Sequence, residues 1–120
     1  MEGAAPRRER GAVTAETAAV LPVLVLLAVF AMSSLAALGA QLRCQDAARE
    51  AARAAARSEP TSVVRELAET AGPAGSVVAV MVGSDRVVVT VQARVRVLGP
   101  SGPGIAVRGS AVAYREPGAP

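Results

Sequence analysis

The chain has 120 residues and a net charge of +3, with one cysteine, no histidine and no tryptophan. A platform that stacks nucleic-acid bases needs aromatic rings, and the sequence holds a single phenylalanine and a single tyrosine. The inventory also excludes a zinc site built from protein ligands alone and a Ser-His-Asp triad. We expect no catalysis, no cofactor and no metal, and neither nucleic acid nor a small-molecule substrate as a partner.

Residues 1–11 are polar and include Arg7, Arg8 and Arg10. Because proline and glycine flank this charged run, we expect no helix here. We interpret the segment as a leader peptide, and the alternative is a plain cytoplasmic tail.

An uncharged stretch follows from Thr17 to Ala40. It is longer than the roughly 20 residues that a helix needs to cross a bilayer, so it predicts a transmembrane span over about residues 17–40. Glu16 lies at the N-terminal end of this span. A carboxylate is energetically costly there, which indicates a role such as binding a partner. If Thr14 caps the helix, Glu16 is instead a helix-start acid favoured by the helix dipole. Pro22 lies inside the helical pattern and predicts a kink.

The helix is expected to continue beyond the membrane. Residues 41–57 are rich in alanine and contain neither glycine nor proline, so we predict one helix from about Val13 to Arg57. A polar stripe at i, i+4 spacing comprises Gln45, Arg49, Arg53 and Arg57. The alternative is a second amphipathic helix on the membrane surface, which the lack of large apolar residues disfavours.

Cys44 lies just beyond the span and, as the only cysteine, cannot form an intramolecular disulfide. The first interpretation is a small, half-buried packing residue. An intermolecular disulfide in an oxidising compartment is the next alternative, and lipidation is the third.

The remaining sequence predicts a short helix and about three antiparallel strands. Thr61 would cap the helix, and Gly72 followed by Pro73 would end it. The predicted strands are Ser76–Val82, Arg86–Leu98 and Ile105–Arg115.

Strict alternation in the second strand predicts a sheet that is buried on one face. The residues expected to face inward are Val87, Val89, Val91, Ala93, Val95 and Val97, and in the third strand Ile105, Val107, Ala111 and Ala113. Both helices would cover this face. Arg94 and Arg96 would lie on a solvated face or, alternatively, on a partner-binding edge. The predicted fold class is α+β: a long membrane-spanning helix that continues outside the membrane, a short second helix and a small antiparallel sheet.

The residues around Gly11 resemble a known family. A basic leader ends in Gly11, Glu16 follows at the fifth position after it, and Pro22 precedes a Leu/Val run. This pattern resembles the TadE-like minor pilins of tight-adherence (Flp-type) pili and, more broadly, type IV prepilins. The resemblance covers roughly residues 7–60.

The resemblance implies that a membrane-embedded prepilin peptidase cuts between Gly11 and Ala12, and that Glu16 acts in assembly with other pilins. It implies a single-pass protein of the bacterial cytoplasmic membrane, with its N-terminus cytoplasmic and its C-terminal domain outside or in an extracellular pilus. Charge alone leaves the orientation open, because arginines flank both ends of the span.

The expected division is a leader at 1–11, a long helix at 12–58 and an α+β domain at 59–120. The expected function is that of a structural minor pilin or pseudopilin in the assembly of a tight-adherence pilus or a related secretion apparatus.

A different class of function stays open. An exported small domain could be held by an uncleaved helix, or released by signal peptidase near Ala36 to Ala40, where Ser34 and Ala36 are small residues at the two positions which that enzyme reads. Glu16 and the length of the span count against this. An enzyme is disfavoured because the sequence shows no nucleophile–base pair, metal cluster or phosphate loop.

Overall fold

The computed structural model describes the backbone of residues 4–115 and the side chains of residues 9–115. The predicted α+β fold class is confirmed. In chain order the elements are helix α1 (Ala4–Ala56), helix α2 (Thr61–Ala71) and strands β1 (Val77–Val82), β2 (Arg86–Arg96) and β3 (Gly104–Tyr114).

Helix α1 begins earlier than the sequence predicted. It starts at Ala4, so the expectation of no helix in the first residues is wrong for residues 4–11. Pro6 lies in the first turn, where a backbone N–H needs no partner within the helix. Gly11 lowers the stability of the helix by only about 1 kcal/mol relative to alanine. Thr14 is therefore not a cap, and its Oγ1 donates to the Arg10 carbonyl at 2.8 Å inside the helix.

The chain divides into two compact units, one ending at Ser33 and one starting at Ser34. In the first, α1 runs through Pro22 without interruption, and the predicted kink there stays a prediction. Most large apolar side chains of this unit are exposed, among them Val20, Leu24 and Leu27. The second unit holds the remainder of α1, all of α2 and the sheet.

The sheet has the order β1-β2-β3 with both pairs antiparallel. Val91 of the central strand lies opposite Val78 in β1 and Gly109 in β3. The predicted inward residues of β2 from Val87 to Ala93 are buried, which confirms the inner face. Thr90, on the opposite face, is buried as well, at 8% exposed. Ile105 lies on this inner face as predicted, because it pairs with the half-buried Val95. It is nevertheless 44% exposed, near the end of the strand.

The core lies between this inner face and the two helices, as predicted. α1 contributes only small side chains, namely Cys44, Ala47, Ala48, Ala51, Ala52, Ala54 and Ala55, and α2 contributes Val64 and Ala68. Thr61 is the first residue of α2 rather than its cap, because Pro60 holds the cap position without a side-chain hydrogen bond. The predicted end at Gly72 is confirmed, and its N–H donates to the Ala68 carbonyl at 3.0 Å.

The absence of a side chain at Gly109 lets α1 touch β3 backbone to backbone. A Cβ at this position would lie 2.5 Å from the Cys44 carbonyl oxygen and closer still to the Cys44 carbonyl carbon and the Gln45 nitrogen. Real Cβ atoms essentially never approach other atoms within 3.0 Å. The small side chains of α1 and this glycine together set the distance between helix and sheet.

Two glutamines fix α1 along the outer edge of β3. The Gln41 amide donates to the Arg108 carbonyl at 2.5 Å and accepts from the Arg108 N–H at 2.9 Å. The Gln45 amide does the same for Ser110, at 2.8 Å and 3.2 Å. Unpaired backbone groups on an edge strand are a template for aggregation, and here two side-chain amides occupy four of them.

Candidate functional site

The predicted cleavage residues lie in the exposed first part of α1. Gly11 and Ala12 are both exposed, and a Cβ built on Gly11 would meet nothing within 4 Å. Glycine inside a helix destabilises it by roughly 0.5–1 kcal/mol relative to alanine. The fold of this unit therefore gives no packing reason for glycine at this position.

Glu16 lies one helical turn beyond Ala12, on the same face of α1. It borders an open groove of about 300 Å³ whose other residues are largely apolar: Val13, Thr17, Val20, Leu21 and Leu24. Within residues 9–115 its carboxylate has neither an ion pair nor a hydrogen bond. The arrangement is a negative charge at the start of an apolar surface, open to a partner from another chain.

The segment that follows is suited to a membrane. α1 contains a stretch long and apolar enough to cross a bilayer, by its length and composition. Phe30 and Leu26 are exposed, as is most of the apolar run around them. Exposing such an apolar surface to water is strongly unfavourable, so this segment suits a lipid or protein environment.

Residues 11–53 match the family model described as TadE-like protein. The chain carries a TadE-like segment. This confirms the resemblance predicted from the sequence. The match begins at Gly11 and ends inside α1, so it covers neither α2 nor the sheet. Comparison with curated proteins and with solved structures gave no match.

TadE-like proteins are associated with tight-adherence pili and are structural rather than enzymatic. The match and the apolar helix together support a membrane anchor. Gly11, Ala12, Glu16 and Pro22 all fall inside the matched residues. The structure places the first three of them within two turns of one helix, and all three residues are exposed.

Cys44, near the C-terminal end of the TadE-like segment, is fully buried rather than half-buried. It is 0% exposed in the contact between α1 and Gly109. Burial raises the pKa of its thiol, and the neighbouring Arg43 acts in the opposite direction. Both alternatives to a packing role, a disulfide with another chain and lipidation, would require this contact to open. The packing interpretation is therefore favoured.

Among residues 9–115 no group of three or more His, Cys, Asp or Glu side chains could hold a metal ion. A groove of about 280 Å³ lies between α1 and β3, bordered by Arg49, Arg53 and small apolar residues. Its charged residues belong to the solvated stripe predicted from the sequence.

Sequence reasoning missed the residues that attach the TadE-like helix to the sheet. The sequence predicts Gln45 only as part of the polar stripe and predicts no role for Gln41 or Gly109. A glycine inside an alternating strand is a known signal for close approach of another backbone. A second signal is the pair of amide side chains, Gln41 and Gln45, at i, i+4 spacing where α1 leaves the predicted membrane span.

Proposed function

We propose that this chain is a minor pilin or pseudopilin that takes part in assembly of a tight-adherence pilus or a related secretion apparatus. The observation that carries the proposal is the family match starting at Gly11, a residue for which the fold has no packing requirement. Prepilin peptidase would remove residues 1–11 and leave Ala12 as the mature N-terminus.

Glu16 would then act between subunits. Cleavage after Gly11 creates a positive amine at Ala12, which is about 6 Å from Glu16 along the axis of one helix. A neighbouring subunit shifted along the filament brings its own amine closer. In a low dielectric such a pair offsets the cost of burying both charges when its geometry is good. The free carboxylate of Glu16 supports this role.

The proposed topology follows from the leader. Residues 1–11 would lie in the cytoplasm, about residues 17–40 in the cytoplasmic membrane, and the α+β domain at 59–120 outside it or in the pilus. The partners are the membrane, prepilin peptidase and other pilins or assembly proteins.

Processing is the first test. The wild-type protein should begin at Ala12 when membrane protein from cells with the peptidase is analysed by mass spectrometry. Gly11→Val should keep the leader, whereas Gly39→Val, at a second helix glycine with nothing within 4 Å of its Cβ, should be cut normally. A start near Gln41 would instead support an exported domain released by signal peptidase, and would contradict the pilin proposal.

Assembly is the second test. Glu16→Gln keeps the shape of the side chain and removes its charge, so we expect normal insertion and cleavage but loss of the protein from sheared filaments or cross-linked complexes. Glu50→Gln removes an exposed acid elsewhere on α1 that the mature chain keeps, and it is the matched control. Wild-type incorporation of Glu16→Gln would mean that Glu16 is only a helix-start residue.

A further inference from the structure

The outer face of the sheet, directed away from both helices, is unusual in its charge and its exposed apolar surface. By the register, every second residue from Arg86 to Arg96 points outward together with its partners in β1 and β3. The charged residues on this face are all basic: Arg86, Arg94, Arg96 and Arg108. Within the described residues none of them has a carboxylate partner.

Arg94, Arg96 and Arg108 lie toward one end of this face, and apolar side chains occupy the other end, around Arg86. Met81, Val88 and Val112 form one row across the three strands, and Tyr114 lies beside that row. Met81 is 70% exposed and Tyr114 68%. A sheet face with a basic cluster at one end and exposed apolar side chains at the other is typical of a surface that another protein covers.

A complementary surface lies on α2. Glu66 and Glu69 are exposed, on the side of the helix opposite the buried Val64. Neither has an ion pair within the described residues. At i, i+3 spacing their Cβ atoms are about 5–6 Å apart, and Arg94 and Arg96, two positions apart on one strand face, are separated by about 7 Å. The glutamate pair and the arginine pair are opposite in charge and similar in spacing.

We propose that the outer sheet face of one copy of this chain docks on α2 of the next copy. α2 packs on the inner side of the sheet, so a single chain cannot bring its own α2 to its outer face. The contact joins two different surfaces, and such head-to-tail contacts continue from copy to copy into an open assembly. The inference rests on the proposed role as a pilus subunit and names a second contact for it, apart from Glu16.

Cysteine cross-linking of the full-length chain in membranes tests this contact. In a Cys44→Ala background, Ser62→Cys places a thiol beside Glu66 on α2, and Ala106→Cys places one directly opposite Arg94 in β3. A mild oxidant should produce a ladder of dimers and larger species from the double-cysteine chain and nothing from either single-cysteine chain. Dimers from a single-cysteine chain would reveal a symmetric contact and overturn the proposal, as would the absence of a ladder.

Charge exchange shows whether the named residues make the contact. Arg94→Glu with Arg96→Glu should abolish the ladder, and so should Glu66→Arg with Glu69→Arg. Combining all four changes in one chain should restore it, which misfolding of either pair cannot explain. Failure of the fourfold variant, with the parent ladder intact, would exclude these residues. The mature N-terminus measured in the same samples reports processing separately, so a missing ladder with a start at Ala12 overturns only this contact.

Discussion

Gly109→Ala provides a direct test of how α1 is held against the sheet. The added methyl group would overlap the backbone of Cys44 and Gln45. Backbone cannot rotate out of the way as a side chain can, so the helix must move off β3. That movement would break the bonds from Gln41 to Arg108 and from Gln45 to Ser110.

The expected loss of stability is large for a domain of this size. Overpacking a well-packed contact costs about 1–3 kcal/mol. The four amide bonds lie near solvent, so each contributes toward the lower end of about 0.5–1.5 kcal/mol. We expect a total of about 3–5 kcal/mol, which approaches the whole stability of a small domain.

The single cysteine provides the assay. Cys44 is 0% exposed in the native contact, so a thiol-reactive maleimide should label the native wild-type protein only after denaturant is added. Gly109→Ala should be labelled without denaturant. Gly39→Ala is the matched control, because a Cβ there meets nothing within 4 Å, and its labelling should equal that of the wild type.

Protection of Cys44 in Gly109→Ala equal to that in the wild type would refute the reasoning. It would mean that the helix and strand do not rely on backbone contact at this glycine.

Three further outcomes follow from the same packing. Replacing Gln41 and Gln45 together by alanine should lower the unfolding free energy by about 1–3 kcal/mol, measured by denaturant-dependent labelling of Cys44, and an unchanged midpoint would contradict the role of these amides. A fragment of residues 60–120 should be far less stable than one of residues 41–120, because each valine left in water forfeits about 1.5–3 kcal/mol; equal melting temperatures would contradict this. The raised pKa of Cys44 means that the native state holds the thiol proton more tightly than the unfolded state does. The protonated thiol therefore contributes its full share to the free energy of unfolding below the ordinary thiol pKa, and this share is lost as pH rises through the raised pKa. Stability measured above that ordinary pKa should therefore fall with pH in the wild type and more weakly in Cys44→Ala.

The sheet could be predicted from the sequence because its signal is local. The alternation in β2 reports a buried face directly, and Gly72 followed by Pro73 marks the end of α2. The exposure of Ile105 could not be predicted in this way, since period-two alternation says which face a residue lies on but not how far along the strand the helices cover it.

The attachment of α1 depends on contacts between residues distant in sequence, and no local pattern encodes such a contact. Gln45 and Ser110 are brought together only when the strand register and the helix rotation are both fixed. The early start of α1 has a different cause. Proline breaks the interior of a helix, but in the first turn it removes no helical hydrogen bond.

That early start has a consequence for processing. A peptidase acts on extended backbone, and the Gly11–Ala12 bond lies inside α1, so cleavage as proposed requires local unwinding. Near a helix end only a few backbone bonds are lost in unwinding, and glycine reduces the cost by roughly 0.5–1 kcal/mol relative to alanine. Gly11 would thus serve twice, by admitting the backbone to the peptidase and by weakening the helix at the bond to be cut. The same helix, shortened to begin at Ala12, would then start at a charged amine one turn from Glu16, so the cut itself creates the group that the carboxylate of a neighbouring subunit can bind.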